Sequence, residues 1–400
     1  MGFGQGLSGL NAAAQNLDVI GNNVANASTV GFKAAKASFA DVYASSRVGL
    51  GVKVSAINQR FDTGSIGSSA SQYHMAIDGE NGFFRLTDSS GKIVYSRNGE
   101  FGLDKSNHIV NAQGYRLTGY PTGGIGQAPV ELEVPQGNIA PQSTSTLRVQ
   151  ANLSANAQVP TQPFDPALRE SYTDSVPSTV YDSLGNSHTM TQYFIKQPAN
   201  AAGDSVYTVN YVLSSTPPQT QTQTMTFDSA GRLTSAPLAT IAFTNPGGVN
   251  APADDLTIQV NNTGSTQFGG DFKQSVLPNG YATGAFTGVT IGKDGSILGA
   301  YTNGQTQVIG TIALGNFANV QGLKPIGDNA WTESPDSGPV TLGQPGTNGL
   351  ATLAGQALES SNVDMSRELV DMIVAQRTYQ ANAQTIKTQD QVLQTLLQIR

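Results

Sequence analysis

Two apolar stripes at three-and-four spacing, one at each end of the chain, limit what this sequence can fold into. Leu7, Leu10, Ala14, Leu17, Gly21 and Val24 form the first. Met365, Leu369, Met372, Gln376, Tyr379, Ala383, Ile386, Asp390, Leu393 and Leu397 form the second. A repeat averaging three and a half residues keeps one helix face apolar, the pattern of a coiled-coil seam. Between the stripes lie about 300 residues rich in Gly, Thr, Ser, Gln and Asn that read as short strands and turns. The expected class is mainly β with terminal helices that pair as a coiled coil.

A heptad face usually serves an intramolecular core. Two features favour assembly here. The first stripe is interrupted by Gly2, Gly4, Gly6, Gly9 and Gly21, each costing about 0.5–1 kcal/mol against Ala in a helix. Such a segment is marginal alone, and the expectation is that it orders only on assembly. In the second, Val370, Ile373, Val374 and Leu396 flank the seam, so its apolar surface exceeds one partner's needs. Gln376 and Asp390 break the seam, as polar residues do where they fix register. The candidate assembly residues are Leu7, Leu10, Leu17, Val24, Leu369, Met372, Ile373, Tyr379, Ile386, Leu393 and Leu397.

Composition removes several function classes. The net charge is −7 and no Lys/Arg cluster exists, so a phosphate backbone has no face to meet. There are no cysteines, which excludes disulfides, thiolate metal sites and thiol catalysis. His74, His108 and His188 lack metal-ligand spacing. Gly4-Gln5-Gly6-Leu7-Ser8-Gly9 fits G-x-G-x-x-G in letters, but it follows no strand and sits in no βαβ unit. No nucleophile elbow, P-loop or EF-hand pattern appears. No catalytic residue, metal or cofactor is expected. No apolar run is long enough to span a membrane, and the start lacks the charged n-region of a secretory signal. From Asp364 to Arg400 four acids balance four bases, unlike the basic face of a membrane-surface helix. Only 12% of residues are charged, against roughly 25% in an average domain, a surface suited to close packing of copies.

The layout is nested. Residues 1–27 with 363–400 form a helical domain. Residues 28–70 with 333–362 read as irregular connectors, punctuated at Gly31-Phe32, Ser45-Ser46 and Gly64 to Ser71, with one strand from Val52 to Ile57. Residues 71–144 with 285–332 form an inner β domain. Hairpins are expected at Phe83–Leu86 with Ile93–Tyr95, and in a meander from Val289 to Leu314. Residues 145–284 form an inserted β domain, with a hairpin around Ser183-Leu184-Gly185-Asn186 and a low-complexity loop, Ser214 to Thr224. The long helix starts near Asp364, capped by Asp364 or Ser366.

At these residues the chain resembles the rod and hook axial proteins of bacterial flagella. Ser8-Gly9-Leu10-Asn11-Ala12-Ala13-Ala14 through Asn22-Asn23-Val24-Ala25-Asn26, extended by Thr29-Val30-Gly31-Phe32-Lys33, is similar to their N-terminal signature. Ala357 to Asp364 and Glu368 to Thr388 resemble their terminal helix. Asn81 to Leu86, Tyr95-Ser96-Arg97-Asn98-Gly99 and Leu314 to Asn319 resemble hook-type β motifs. The likeness covers about half the chain and is weak from 145 to 284.

The resemblance implies a structural subunit that polymerises into a short, curved, hollow tube, a universal joint carrying torque from rod to filament. It implies terminal helices lining an export channel, with the first β domain as a middle layer and the inserted one outermost. It implies copies of itself, a hook cap protein, a distal rod protein, a hook–filament junction protein and the flagellar type III export apparatus as partners. It implies an extracellular place in the hook and basal body, reached without a cleaved signal. The rival within the family is the distal rod subunit, which lacks the 145–284 insertion. From another class, a secreted β-rich adhesin or enzyme would need a carboxylate cleft or sugar-binding aromatics.

Overall fold

The structure, a computed structural model, describes residues 3–42, 49–124, 126–248 and 251–398. The chain forms two compact units: residues 1–136, 288–300 and 306–400, and residues 137–287 with 301–305. Both terminal helices belong to the first.

Helix α1 is Phe3–Ala25 and helix α2 is Met365–Gln398. Asp364 caps α2: its Oδ1 accepts from the backbone N–H of Ser366 at 3.0 Å and of Arg367 at 3.2 Å, filling two donors that the helix itself cannot satisfy. The helices run antiparallel. Gly6 lies against Thr385 and Ile386, Gly9 against Asn382, and Asn23 Nδ2 donates to Glu368 Oε2 at 3.3 Å. The shared length is about 26 Å at 1.5 Å per residue, and α2 continues past the start of α1. The glycines explain the approach: a Cβ on Gly9 would sit 2.7 Å from Asn382 Oδ1. Glycines that weaken α1 as an isolated helix are therefore what lets it dock. In this chain α1 is a packed helix, with Ala12, Ala13, Val19 and Ile20 buried, whereas composition pointed to a segment ordered only by assembly.

The segment after α1 is also more regular than its sequence suggests. Strand β1 (Ala35–Val42) pairs antiparallel with strand β2 (Gly51–Gln59), with a register break between Ser38 and Phe39. Ser45-Ser46 lies outside the described residues. The hairpin packs along α1. Ser8 Oγ accepts from Val52 N–H at 3.3 Å, and a Cβ on Gly51 would collide with that hydroxyl. The strand Ala35–Val42 was hidden because its alternation runs through Ala, Ser and Lys, residues of weak β-propensity. The second connector likewise holds short strands: Thr352–Gly355 pairs with Met75–Asp78, and Ala357–Glu359 pairs with Ile66–Ser68. Neither partner is local, so no hairpin signal marks them.

The β body of the first unit is a twisted antiparallel sheet. Phe83–Thr87 pairs with Ile93–Ser96 on one side and Arg116–Pro121 on the other, and Ser296–Tyr301 with Thr306–Ile312 extends it. Phe61, Phe83, Tyr95, Phe317, Leu323 and Trp331 fill its core. Their rings meet edge to face, as at Tyr95–Phe317, 4.8 Å between centroids and 89° between planes.

The second unit has two four-stranded sheets around one apolar core. Asp174–Tyr181, Ser187–Gln197, Ser205–Leu213 and Gln219–Phe227 form one antiparallel sheet. Thr146–Asn152 pairs parallel with Leu256–Asn261 and antiparallel with Lys273–Pro278 in the other. Most of the expected low-complexity loop is thus a strand. In QTQTQTMTF the odd residues Gln219 to Met225 face the core side and the threonines face out, an alternation that composition alone conceals.

One turn recurs through both units, in the pattern Asx-x-x-Gly-x. Asp88 Oδ1 accepts from Ser90 and Lys92 N–H, and Asp182 Oδ1 from Leu184 and Asn186 N–H. Asn111, Asn200 and Asp228 repeat this geometry. The fourth residue must be left-handed, as at Gly91 (φ 83°) and Gly185 (φ 83°), and Asn107 fills that place after Asp104.

Gly9→Leu should force the helices apart and destabilise their pairing by about 1–3 kcal/mol, read as earlier loss of helical circular dichroism in urea. Asp182 gives a pH test. Burial raises its pKa, but bonds from His188, at 2.9 Å, from Asn186 and from backbone N–H groups outweigh burial and hold it below the usual carboxylate range. The stability it contributes is present above its unfolded pKa of about 3.9 and is lost as pH falls through the lower folded value. Asp182→Asn should flatten acid unfolding of this unit, measured by tyrosine near-UV circular dichroism.

Candidate assembly interface

The two ends of the chain meet in a buried ionic knot. Lys33 Nζ lies 2.6 Å from Glu359 Oε1, and Arg97 Nη1 lies 3.4 Å from Glu359 Oε2. All three side chains are fully buried. Backbone groups complete the coordination. Lys33 donates to Asp62 O at 2.6 Å, and Arg97 donates to Gly79 O at 2.9 Å and to Glu80 O. Glu359 Oε1 also accepts from Gly64 N–H at 2.9 Å. Burial lowers the pKa of Lys33; Glu359 opposes that shift and Arg97 adds to it. Burial also lowers Arg97, against the pull of Glu359. One carboxylate thus holds two desolvated cations.

Neighbouring groups lock the knot. Asn362 Oδ1 accepts from Ala34 N–H at 2.8 Å while its Nδ2 donates to Arg60 O at 2.8 Å. Asn23 on α1 both accepts from and donates to the backbone of Ala35, at 2.9 and 2.8 Å. Gly31 N–H donates to Glu359 O at 2.8 Å; Gly31 has φ 69°, and a Cβ there would lie 2.6 Å from Asn98 N. Arg97 covers the Phe83 ring at 5.4 Å, joining the knot to the aromatic core.

Around this fixed base the candidate assembly residues sort by exposure. On α1 the face toward α2 and the hairpin is Gly6, Gly9, Ala12, Ala13, Val19, Ile20 and Asn23. The seam of Leu7, Leu10, Leu17 and Val24 is centred about 105° away at 100° per residue, with Val24 in line with Gly6. Leu7 is exposed and Leu10, Leu17 and Val24 are half-buried. On α2, Met372 is half-buried and Ile386 is half-buried against Gly6 of α1, while Leu369, Ile373, Tyr379 and Leu393 are exposed. Val370 and Val374 are exposed too, and Ala375 is the one fully buried residue of α2 among those described. The side chains of Leu396 and Leu397 lie outside the described residues. A cavity of about 780 Å³ runs between α1, the hairpin and α2, bordered by Ala13, Ile20, Phe39, Val52, Val374 and Thr378 among others. Sequence reasoning missed Lys33, Arg97, Glu359, Asn362 and Asn23 as a group. Each lies in a motif singled out above, but nothing in the sequence shows that residues 33 and 359 meet.

Four family models match in chain order. They are the flagella basal body rod protein at 5–33, the flagellar hook protein FlgE/F/G D1 domain at 76–155, the flagellar basal body protein FlaE D2 domain at 152–281, and the flagellar basal body rod FlgEFG protein C-terminal at 354–399. The flagellar hook protein FlgE of Escherichia coli K12 is 45% identical over 412 residues, covering 100% of both chains. The chain belongs to the flagellar hook protein family. The hook protein FlgE of Salmonella typhimurium LT2 is also 45% identical over full length, and that of Borreliella burgdorferi 30% over 99% of this chain and 98% of its own. The crystal structure of Helicobacter pylori flagellar hook protein FlgE2 shares the fold, with a TM-score of 0.56 and 15% identity over 74% of this chain and 100% of that one. In hook-family terms, the signature segments at the two ends are the ones that tie the knot.

Glu359→Gln should leave Lys33 and Arg97 buried without an anion and cost about 3–5 kcal/mol, measured by urea unfolding. Adding Lys33→Met should recover much of that loss, since one of the two unpaired charges is gone.

Proposed function

We propose that this chain is the structural subunit of a flagellar hook, polymerising through its terminal helices into a tube that carries torque from rod to filament. The observation that carries the reading is the division of labour on the helices. Small residues mark where the helices come closest within one chain, while Leu7 of α1 and Leu369, Val370, Ile373, Val374 and Leu393 of α2 are exposed and Leu10, Leu17 and Val24 are half-buried. A helix pair apolar on so many sides demands further helices of the same kind. The role is mechanical rather than catalytic. A joint must resist twist and yield to bending. Interdigitated helices supply the first, and weakly charged polar β surfaces, wet and modest in contact energy, permit the sliding that bending needs. The cap, distal rod and junction proteins and the type III export apparatus are the partners this role requires, with export independent of a cleaved signal.

Leu7→Asp and Leu393→Asp should abolish tube formation under polymerising salt, seen by electron microscopy, while leaving the monomer's urea midpoint near wild type. Curved tubes from either variant would refute the assignment of these stripes to the tube interior. Straight tubes from the wild type would shift the reading to a rod subunit.

A further inference from the structure

Five Asn-Gly pairs occur in the chain: Asn81-Gly82, Asn98-Gly99, Asn279-Gly280, Asn303-Gly304 and Asn348-Gly349. In unstructured peptide this dipeptide is chemically labile, because Gly offers no side chain to hinder its backbone nitrogen from approaching the Asn carboxamide. The fold treats the five differently. Asn98 Oδ1 accepts from Glu100 N–H at 2.9 Å, and a Cβ on Gly99 would overlap Met75 O. Asn279 Oδ1 accepts from Ser145 and Thr146 N–H, and its Nδ2 donates to Ser145 Oγ. Asn303 Nδ2 donates to Ala282 O at 2.7 Å, its Oδ1 accepts from Gln305 N–H, and Gly304 N–H is engaged by Tyr301 O. Asn81 Nδ2 donates to Gly349 O at 3.3 Å, and Gly82 is buried.

Asn348 has none of these restraints. Thr347, Asn348 and Gly349 are all exposed. Asn348 has φ 51°, Gly349 has φ 77°, and Leu350 N–H donates to Thr347 O at 2.9 Å, which describes a type I′ turn. Such a turn needs positive φ at both central positions and so selects Asn-Gly, the pair with the labile chemistry.

We propose that Asn348 is a self-modification site at which the folded protein deamidates and isomerises. The Gly349 backbone nitrogen, having lost its proton to solvent base, attacks Asn348 Cγ. The new N–Cγ bond forms, the Cγ–Nδ2 bond breaks, and ammonia leaves with a proton from solvent. Water then opens the resulting succinimide at either carbonyl, giving aspartate or isoaspartate. No oxidant, metal or second protein takes part. The turn is anchored through Asn81, which donates to Gly349 O and whose carbonyl accepts from Ala351 N–H. The extra main-chain carbon of isoaspartate therefore enters next to the segment whose Gly79 and Glu80 carbonyls hold Arg97.

The test is to incubate the full-length protein in mildly alkaline buffer, with and without urea, then digest it and read each Asn-Gly peptide by fragmentation mass spectrometry that separates aspartate from isoaspartate. In urea all five sites should convert at similar rates. In the folded protein Asn348 should convert several-fold faster than Asn98, Asn279 and Asn303, and ahead of Asn81. Asn348→Gly, which keeps positive φ accessible, should remove the modification without changing the urea midpoint. A folded-state pattern equal to that in urea, or an Asn348 that survives while another pair reacts, would overturn the proposal.

Discussion

A single carboxylate, Glu359, holds the architecture of the first unit together. Two cations from distant parts of the chain, Lys33 and Arg97, lie fully buried against it. Desolvating charges is costly, and the cost is offset only where geometry is close and the remaining donors are filled. Here the carbonyls of Asp62, Gly79 and Glu80 do that filling. The arrangement is therefore all-or-none. Without Glu359, Lys33 and Arg97 would be two buried like charges with no anion between them. Glu359 also sits a few residues before the Asp364 cap of α2, and Lys33 a few after the end of α1. The same contact thus fixes where both helices leave the β body.

The helices show how glycine can weaken and enable at once. Gly6 and Gly9 lower the intrinsic stability of α1, yet they allow α2 to approach until Ile386 and Asn382 touch its backbone. The closest intramolecular contacts fall at small residues, so Leu7 stays exposed and Leu10, Leu17 and Val24 stay half-buried.

The β regions follow a different economy. Their hairpins repeat one turn, in which an Asp or Asn side chain caps the N–H groups two and four residues on. Each turn satisfies its own backbone polar groups locally, without recourse to distant charges. That fits a chain with 12% charged residues. It also leaves the outward faces of the sheets polar and nearly neutral, as with the threonines of Gln219–Phe227.

The sequence by itself determined the local and periodic features. The extent of α2, a cap at Asp364 or Ser366, and the hairpins at Phe83–Thr87 with Ile93–Ser96 and Asp174–Tyr181 with Ser187–Gln197 were legible, because each signal lies within a few residues of its consequence. The seam residues were legible as apolar stripes for the same reason. Tertiary structure decided what could not be local. The β1–β2 hairpin has its edge settled by packing on α1, not by β-propensity. The strands Thr352–Gly355 and Ala357–Glu359 find partners nearly 300 residues away. Which face of α1 turns inward depends on the facing surface of α2. The pairing of Lys33 with Glu359 joins positions 326 residues apart. A charge in a sequence reads as a solvated surface group until folding removes the water around it, and only then does its partner become a necessity.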